Sequence, residues 1–379
     1  MKKTFCFILS LMVYLFLITP LSAIEKESTH KTTPSLNKGK KWRVGYYEGG
    51  PYINYPVNLK TLAEGLHELG WMGAVTFDEK DNPIDSRVVW DQLSRAKSSY
   101  IQFVSDAYWS ADWNVATRLK NAENAIKRLR SGDIDFIIAM GTWAGQDLAN
   151  NNHSIPTIVI SVSDPVQSGI VKSAEYSGYD HVHAKCDPSR YIEQIKLFHN
   201  MIGFKKLGVV YENSVEGRSY SAIADVEKVA GMRGFEIVKC EAPFSGVEEK
   251  EAIKTTIDCY GQLAPRVDAV YVTVHRGVVL DYIPEIMKPL LKHKIPSFSQ
   301  RGPEEVERGV LLSIARDRFV SVGKYHARIM AQIFNGAKPG KLNQIFTDPK
   351  TIAVNIKTAE IIGFIIPPEF LKVTDKVYN

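Results

Sequence analysis

Short apolar runs, each followed by a stretch compatible with a helix, recur along most of this 379-residue chain. A first series covers residues 43–47, 101–105, 136–140 and 157–161, and a second covers 205–212, 235–242, 268–274 and 295–300. Between them lie helix-compatible segments such as 116–129, 220–232 and 279–291. In 116–129, Ala116, Leu119, Ala122, Ala125, Ile126 and Leu129 recur at helical spacing. Strands rich in Val and Ile that alternate with helices belong to parallel sheets covered on both faces. The expected fold class is therefore α/β, with two doubly wound, Rossmann-like lobes divided near Ser163-Asp164-Pro165. Such sheets bind ligands beyond the carboxyl ends of their strands. Two lobes that face each other can line one cleft.

The N-terminal end reads differently. Lys2 and Lys3 precede an uncharged apolar run over residues 5–18, and Leu21-Ser22-Ala23 closes it with small residues. This is the three-part form of a secretory signal peptide, with cleavage expected after Ala23. The run is short for a bilayer span, which argues against a retained anchor. Cys6 precedes the cleavage point and is not placed like a lipoprotein cysteine. A soluble protein exported to the periplasm or outside the cell is expected. Residues 24–41 are polar and lack apolar periodicity, so they read as a flexible leader. The formal charge of +5 is accounted for by Lys2, Lys3 and the lysine excess of that leader. The folded part is left neutral, and no nucleic-acid partner is expected. Without Cys6, the cysteines are Cys186, Cys240 and Cys259. They allow one disulfide, with Cys240–Cys259 nearest in sequence, or none.

Four stretches carry a family resemblance. They are Gly141-Thr142 after a strand, IPTIVISVSDPVQSGIV over 155–171, KKLGVVYENS over 205–214, and AVNIKTAEIIGFIIPPEFLKVTDKVY over 353–378. The chain from about Trp42 onward resembles the tryptophan/tyrosine-type substrate-binding proteins of ABC transporters, which have the type I periplasmic-binding-protein fold. The resemblance implies two lobes closing on a small-molecule ligand, which is delivered to an ABC transporter permease in the membrane. It implies no catalysis. It also implies that residues 311–336 return to the N-terminal lobe with 42–162, while 163–310 and 337–379 form the C-terminal lobe. Three stretches depart from the family pattern: SGYDHVHAKC over 177–186, His275-Arg276 where relatives often carry an acidic residue, and the aromatic SDAYWSADWN over 105–114.

The candidate ligand-binding residues follow the strands. At Gly141, Thr142 and Trp143, free N–H groups and a helix dipole suit a carboxylate. The plain alternative is a helix cap at Thr142 with Trp143 packed inside the lobe. Gly50 lets the backbone approach closely, and Tyr52 or Tyr55 can stack on a ligand, unless this is a surface turn. Ser163 and Asp164 lie at the lobe crossing, where Asp164 serves either a ligand ammonium or its own turn. Tyr211, Glu212 and Asn213 end a strand of the second series; His275, Arg276 and Arg301 follow later ones, the arginines suiting an anion. The resemblance adds Asp317. Tyr108, Trp109 and Trp113 either stack on a flat ligand or cluster under a loop. His181-x-His183, with Asp180 and Cys186, has the residue types of a metal site, but paired strand histidines are more often incidental. No metal and no cofactor are expected.

No nucleophile elbow, phosphate loop, dinucleotide fingerprint or His-Glu-x-x-His motif occurs, so an enzyme is not expected. The reading is a monomeric solute-binding protein for a zwitterionic amino acid, aromatic by preference. The carboxylate is expected at Thr142 and Trp143, and the ammonium near Asp164, Glu212 or Asp317. The alternative is a ligand-sensing input for a receptor kinase or chemoreceptor.

Overall fold

The computed structural model describes residues 30–77, 85–316 and 319–379. The signal-peptide segment and Asp317 lie outside the described residues. Twelve strands are described: β1 (Trp42–Glu48), β2 (Ile101–Ser110), β3 (Phe136–Met140), β4 (Thr157–Ile160), β5 (Val182–Ala184), β6 (Lys206–Tyr211), β7 (Glu236–Glu241), β8 (Ala269–Val272), β9 (Ser297–Ser299), β10 (Leu312–Arg316), β11 (Lys350–Asn355) and β12 (Lys376–Tyr378). They form two sheets, ordered β2-β1-β3-β4-β5 and β12-β11-β10-β9-β8-β6-β7. Every pairing is parallel except β10 with β11. The expected α/β class and the type I architecture are what the chain adopts.

Both faces of each sheet are covered, and the period of two shows how. In the first sheet Val44, Tyr46, Phe136, Ile138 and Ile158 face one core; Tyr47, Ile137, Ala139 and Val159 face another. The first core takes Leu59, Leu62 and Leu66 from helix Asn54–Glu68, with Met330 and Phe334 from helix Val320–Phe334. Each such buried side chain contributes roughly 1.5–3 kcal/mol. In the second sheet Val210, Val270 and Val272 are separated in the same way from Leu207, Val209 and Tyr271.

The lobe boundaries differ from the expectation. β5 pairs with β4, so the first sheet continues past Ser163 to Ala184. β10 pairs with β9, so the chain leaves the second sheet only after Arg316, and helix Val320–Phe334 is what returns to the first lobe. The crossings come together where Cys186 bridges to Ile345 and the Lys185 ammonium meets Asp348 at 3.0 Å. The described part of the leader is docked rather than free. Trp71 Nε1 donates to Thr32 O, Trp42 Nε1 to Ser35 O, and Asn335 Nδ2 to Thr33 O. Two indoles and an amide therefore hold a segment whose polarity alone reads as loose.

Other details adjust single elements. Helix Val115–Ser131 buries Ala125 and Leu129, but Leu119 is 68% exposed. Arg118, beside it, turns inward to Asp147 at 2.8 Å and takes that side of the helix. A disulfide joins Cys240 of β7 to Cys259 of helix Glu249–Leu263, and Cys186 is a buried free thiol. Burial pushes that thiol up to about 12. Among the described residues, no helix is long and apolar enough to cross a membrane.

Candidate functional site

A cleft with 640 Å³ of atom-free space, its mouth included, lies where the carboxyl ends of both sheets meet. Its first wall comes from the segments after β1, β2, β3 and β4, helix starts included, which supply Tyr52 and Tyr55, Trp113, Thr142, and residues 161–163 respectively. The second wall holds Arg190, Tyr191, Tyr220, Phe244, Val274 and Arg301, with Phe319 at a crossing.

Two glycines explain the shape of the first wall. A Cβ on Gly141, at φ +86°, would meet the Tyr55 hydroxyl at 1.9 Å, so the residue must be glycine. A Cβ on Gly50 would come within 2.7 Å of Trp113 N, and the small loop there lets Trp113 seat itself. Trp113 N donates to Gly49 O at 2.9 Å, and its indole Nε1 to Pro51 O at 3.0 Å. Trp113, Ser161 and Phe319 all hold positive φ values, at 60°, 62° and 61°. Left-handed backbone in non-glycine residues costs about 1–3 kcal/mol each and gathers at ligand clamps.

The lobes touch across the mouth. Trp113 of the first lobe meets Phe244 of the second edge-on, with ring centroids 5.5 Å apart. Phe244 in turn packs on Tyr220 at 4.7 Å, and Trp113 on Trp143 at 5.5 Å. Beside this aromatic contact, Ser168 Oγ and Ser219 Oγ lie 2.6 Å apart, and Arg118 reaches Glu216 at 4.0 Å. The conformation is a closed one.

Of the residues expected at the site, Tyr52, Thr142, Ser163 and Arg301 line the cleft. Gly50, Gly141 and Trp143 stand just behind it. Trp143 is packed inside the lobe, with the Arg118 guanidinium 4.6 Å from its ring, and the cap position belongs to Gly141, not Thr142. Of the three neighbouring aromatics only Trp113 arrives. Tyr108 and Trp109 lie in β2, Tyr108 donating to Glu48 at 3.0 Å and Trp109 lying under Arg128.

The expected charged residues have other partners. Asp164 Oδ1 accepts from Val166 N and Gln167 N, both at 2.9 Å, and so closes its own turn. Tyr211 is in the core, and Asn213 donates to Glu241 at 3.2 Å. Glu212 accepts from Phe244 N at 2.6 Å and Ser245 N at 2.8 Å, and from the Ser214 and Ser245 hydroxyls. Burial works against its charge, yet those donors hold its carboxyl below the usual range. Arg276 donates to Val247 O at 2.7 Å. His275 Nε2 lies 3.1 Å from Ala242 O, while its Nδ1 accepts from Gly277 N. Burial brings that imidazole down to about 4. Glu212, His275 and Arg276 thus anchor the loop of residues 242–247, which presents Phe244.

Arg190, Tyr191, Tyr220 and Phe244 escape a reading of strand ends. Arg190 and Tyr191 open helix Arg190–Ile202, just past β5, a three-residue strand with a histidine at its centre. Recognising that strand would have directed attention to them. His181 packs edge-on against His153 at 4.9 Å, whereas His183 faces Tyr325 and Asn343 O. The two rings therefore serve different neighbours. Among the described residues, no group of three or more His, Cys, Asp or Glu side chains is arranged to hold a metal.

Two α/β lobes closing on an aromatic cleft at their strand ends define the type I periplasmic-binding-protein fold. The profile described as ABC transporter substrate binding protein matches residues 108–378, and the chain belongs to that family. The tyrosine-binding protein of Clostridioides difficile (strain R20291) is 24% identical over 293 residues, covering 75% of this chain and 81% of that protein. A Streptococcus pneumoniae ABC domain in complex with L-Trp superposes with a TM-score of 0.67 at 19% identity, over 89% of this chain and all of that one. A conserved domain protein from Vibrio cholerae gives 0.68 at 20% identity, over the same shares. These structures share the fold. The family is one of substrate-binding proteins, not enzymes.

Proposed function

We propose that this chain is exported and captures a small amino acid, aromatic by preference, between its lobes, and that an ABC importer permease takes the ligand from the closed form. The observation that carries the reading is the cleft itself, with Tyr52, Tyr55, Trp113, Tyr220 and Phe244 set around it from both lobes. Flat apolar walls with a few polar groups suit a ring bearing a polar end. The L-Trp and tyrosine binding of two relatives supports the same choice. Thr142 remains in place for a polar end of the ligand. Asp164 and Glu212 do not, because each is occupied within its own lobe.

Thermal-shift screening of the mature protein against amino acids, purines, sugars and organic acids tests the reading. Stabilisation by tyrosine, tryptophan or phenylalanine is expected. A response to a sugar and to no amino acid would discard the assignment.

A further inference from the structure

The second wall carries two buried guanidinium groups whose donors the chain does not fully satisfy. Arg301 pairs through Nε with Glu305 at 3.1 Å, which leaves its buried Nη2 without a hydrogen-bond partner. Burial disfavours its charge, but Glu305 and Tyr52 outweigh that and keep it protonated. Arg190 Nε is likewise buried without a partner, and its guanidinium lies over the Tyr191 ring at 4.8 Å. Burial works against its charge, and Tyr191, Asp348 and Asp187 favour it; of the two carboxylates, Asp348 is already paired with Lys185. Tyr52 feels both Arg301 and Tyr191, so the surroundings of the two arginines converge on one tyrosine. The Tyr220 hydroxyl, on the same cleft, also lacks a partner.

A buried cationic donor left unpaired is costly, and an anion reaching it removes that cost. Guanidinium groups present a planar fork that fits a carboxylate. Among the described residues that line the cleft there is no carboxylate to receive an ammonium group. We infer that Arg190 and Arg301 form the anion subsite of this cleft, holding the ligand's carboxylate from the second lobe. An acidic group, with or without an adjacent amine, is then what the two arginines demand of a ligand. The inference rests on the cleft being the ligand site and does not depend on the ligand being aromatic.

The test is calorimetric titration of the mature protein with four sets of probes. These are L-tyrosine and L-tryptophan, the deaminated acids 3-(4-hydroxyphenyl)propionate and indole-3-propionate, the decarboxylated tyramine and tryptamine, and the non-aromatic succinate and glutarate. The aromatic acids are expected to bind with and without the amine, and the two amines are expected not to bind. Arg190→Gln should weaken the acids about tenfold or more, and Arg190→Lys should restore part of the loss. The melting temperature of ligand-free Arg190→Gln should stay close to that of the wild type, because the buried Nε has no partner and the burial of the charge offsets the stack on Tyr191. A purely structural arginine would lower it. Amines binding as tightly as acids, or unchanged affinity in Arg190→Gln, overturns the subsite. Should only succinate or glutarate bind, and lose binding in Arg190→Gln, the arginine pair stands and the aromatic reading falls. Binding of no carboxylate of either kind overturns the pair.

Discussion

In the first lobe the residues that face the cleft stand directly on the segments after β1, β2, β3 and β4, and glycines at positions 50 and 141 let those segments pack tightly. In the second lobe Val274 and Arg301 follow β8 and β9 into the cleft, whereas Glu212 after β6 and His275-Arg276 after β8 do not line it. They grip the loop of residues 242–247, and Phe244 on that loop is what the ligand space meets. One wall is thus a set of direct contacts. The other joins such positions, Arg301 among them, to a loop held up by charged residues behind it. A charge at a strand end marks the neighbourhood of a site, but a hydrogen-bond inventory is needed to say whether it touches the ligand or positions what does.

Acid should test both walls at once, with the largest effect. His275 supports the second wall, while His153 and His183 lie in the first lobe, and burial brings all three to about 4 from the ordinary 6.5. Between those values the unfolded chain binds protons that the folded chain refuses. Stability is therefore complete above about pH 6.5 and falls as pH drops toward 4, by about 3 kcal/mol per histidine. Asp225, which burial raises to about 6, acts in the opposite sense between 3.8 and 6 and offsets roughly one of them. Urea unfolding midpoints measured from pH 7.5 to 4.5 should show the decline, and His275→Gln should remove about a third of what these three histidines contribute. If that variant removes all of it, the two walls do not respond separately.

Glu212→Gln should have the next largest effect. The neutral amide keeps an acceptor but loses the charge from its bonds to Phe244 N and Ser245 N. A loss of about 2 kcal/mol is expected, together with weaker ligand binding as Phe244 loosens. Denaturant titration and calorimetry on one preparation would read both. Weaker binding at full stability would mean that Glu212 meets the ligand itself, and the contrast between the walls would have to be redrawn.

Much of the fold was legible because Val- and Ile-rich runs buried on both faces announce themselves: β3, β4, β6 and β8 fall within the expected runs, and β1 extends one residue past its run at each end. β5 was not legible: Val182–Ala184 is three residues long and lies in a polar stretch, so its loss displaced the lobe boundary. Part of the first wall was readable because a glycine turn and an aromatic side chain follow β1 and β3 locally. The second wall depends on partners distant in sequence. Nothing near Glu212 announces that its acceptors serve a backbone 32 residues away, and nothing near Phe244 marks an interlobe contact. Arg190 belongs to a helix start whose preceding strand carries almost no pattern.

The smallest effect is expected at Asp164, and it separates the walls most cleanly. This residue sits at the first lobe's rim, next to Ser163 in the cleft, yet its Oδ1 is engaged by two backbone N–H groups of its own turn. Asp164→Asn retains an oxygen in the same position, so the turn can still close, and a loss below about 1 kcal/mol is expected. Affinity for an aromatic amino acid should not change, because the carboxylate has no part in holding its ammonium group. Titrating wild type and variant side by side decides the point. A tenfold weaker variant that melts at the wild-type temperature would show that the first lobe also reads ligand charge, and the requirement for an acidic group alone would give way to recognition of both ends of a zwitterion.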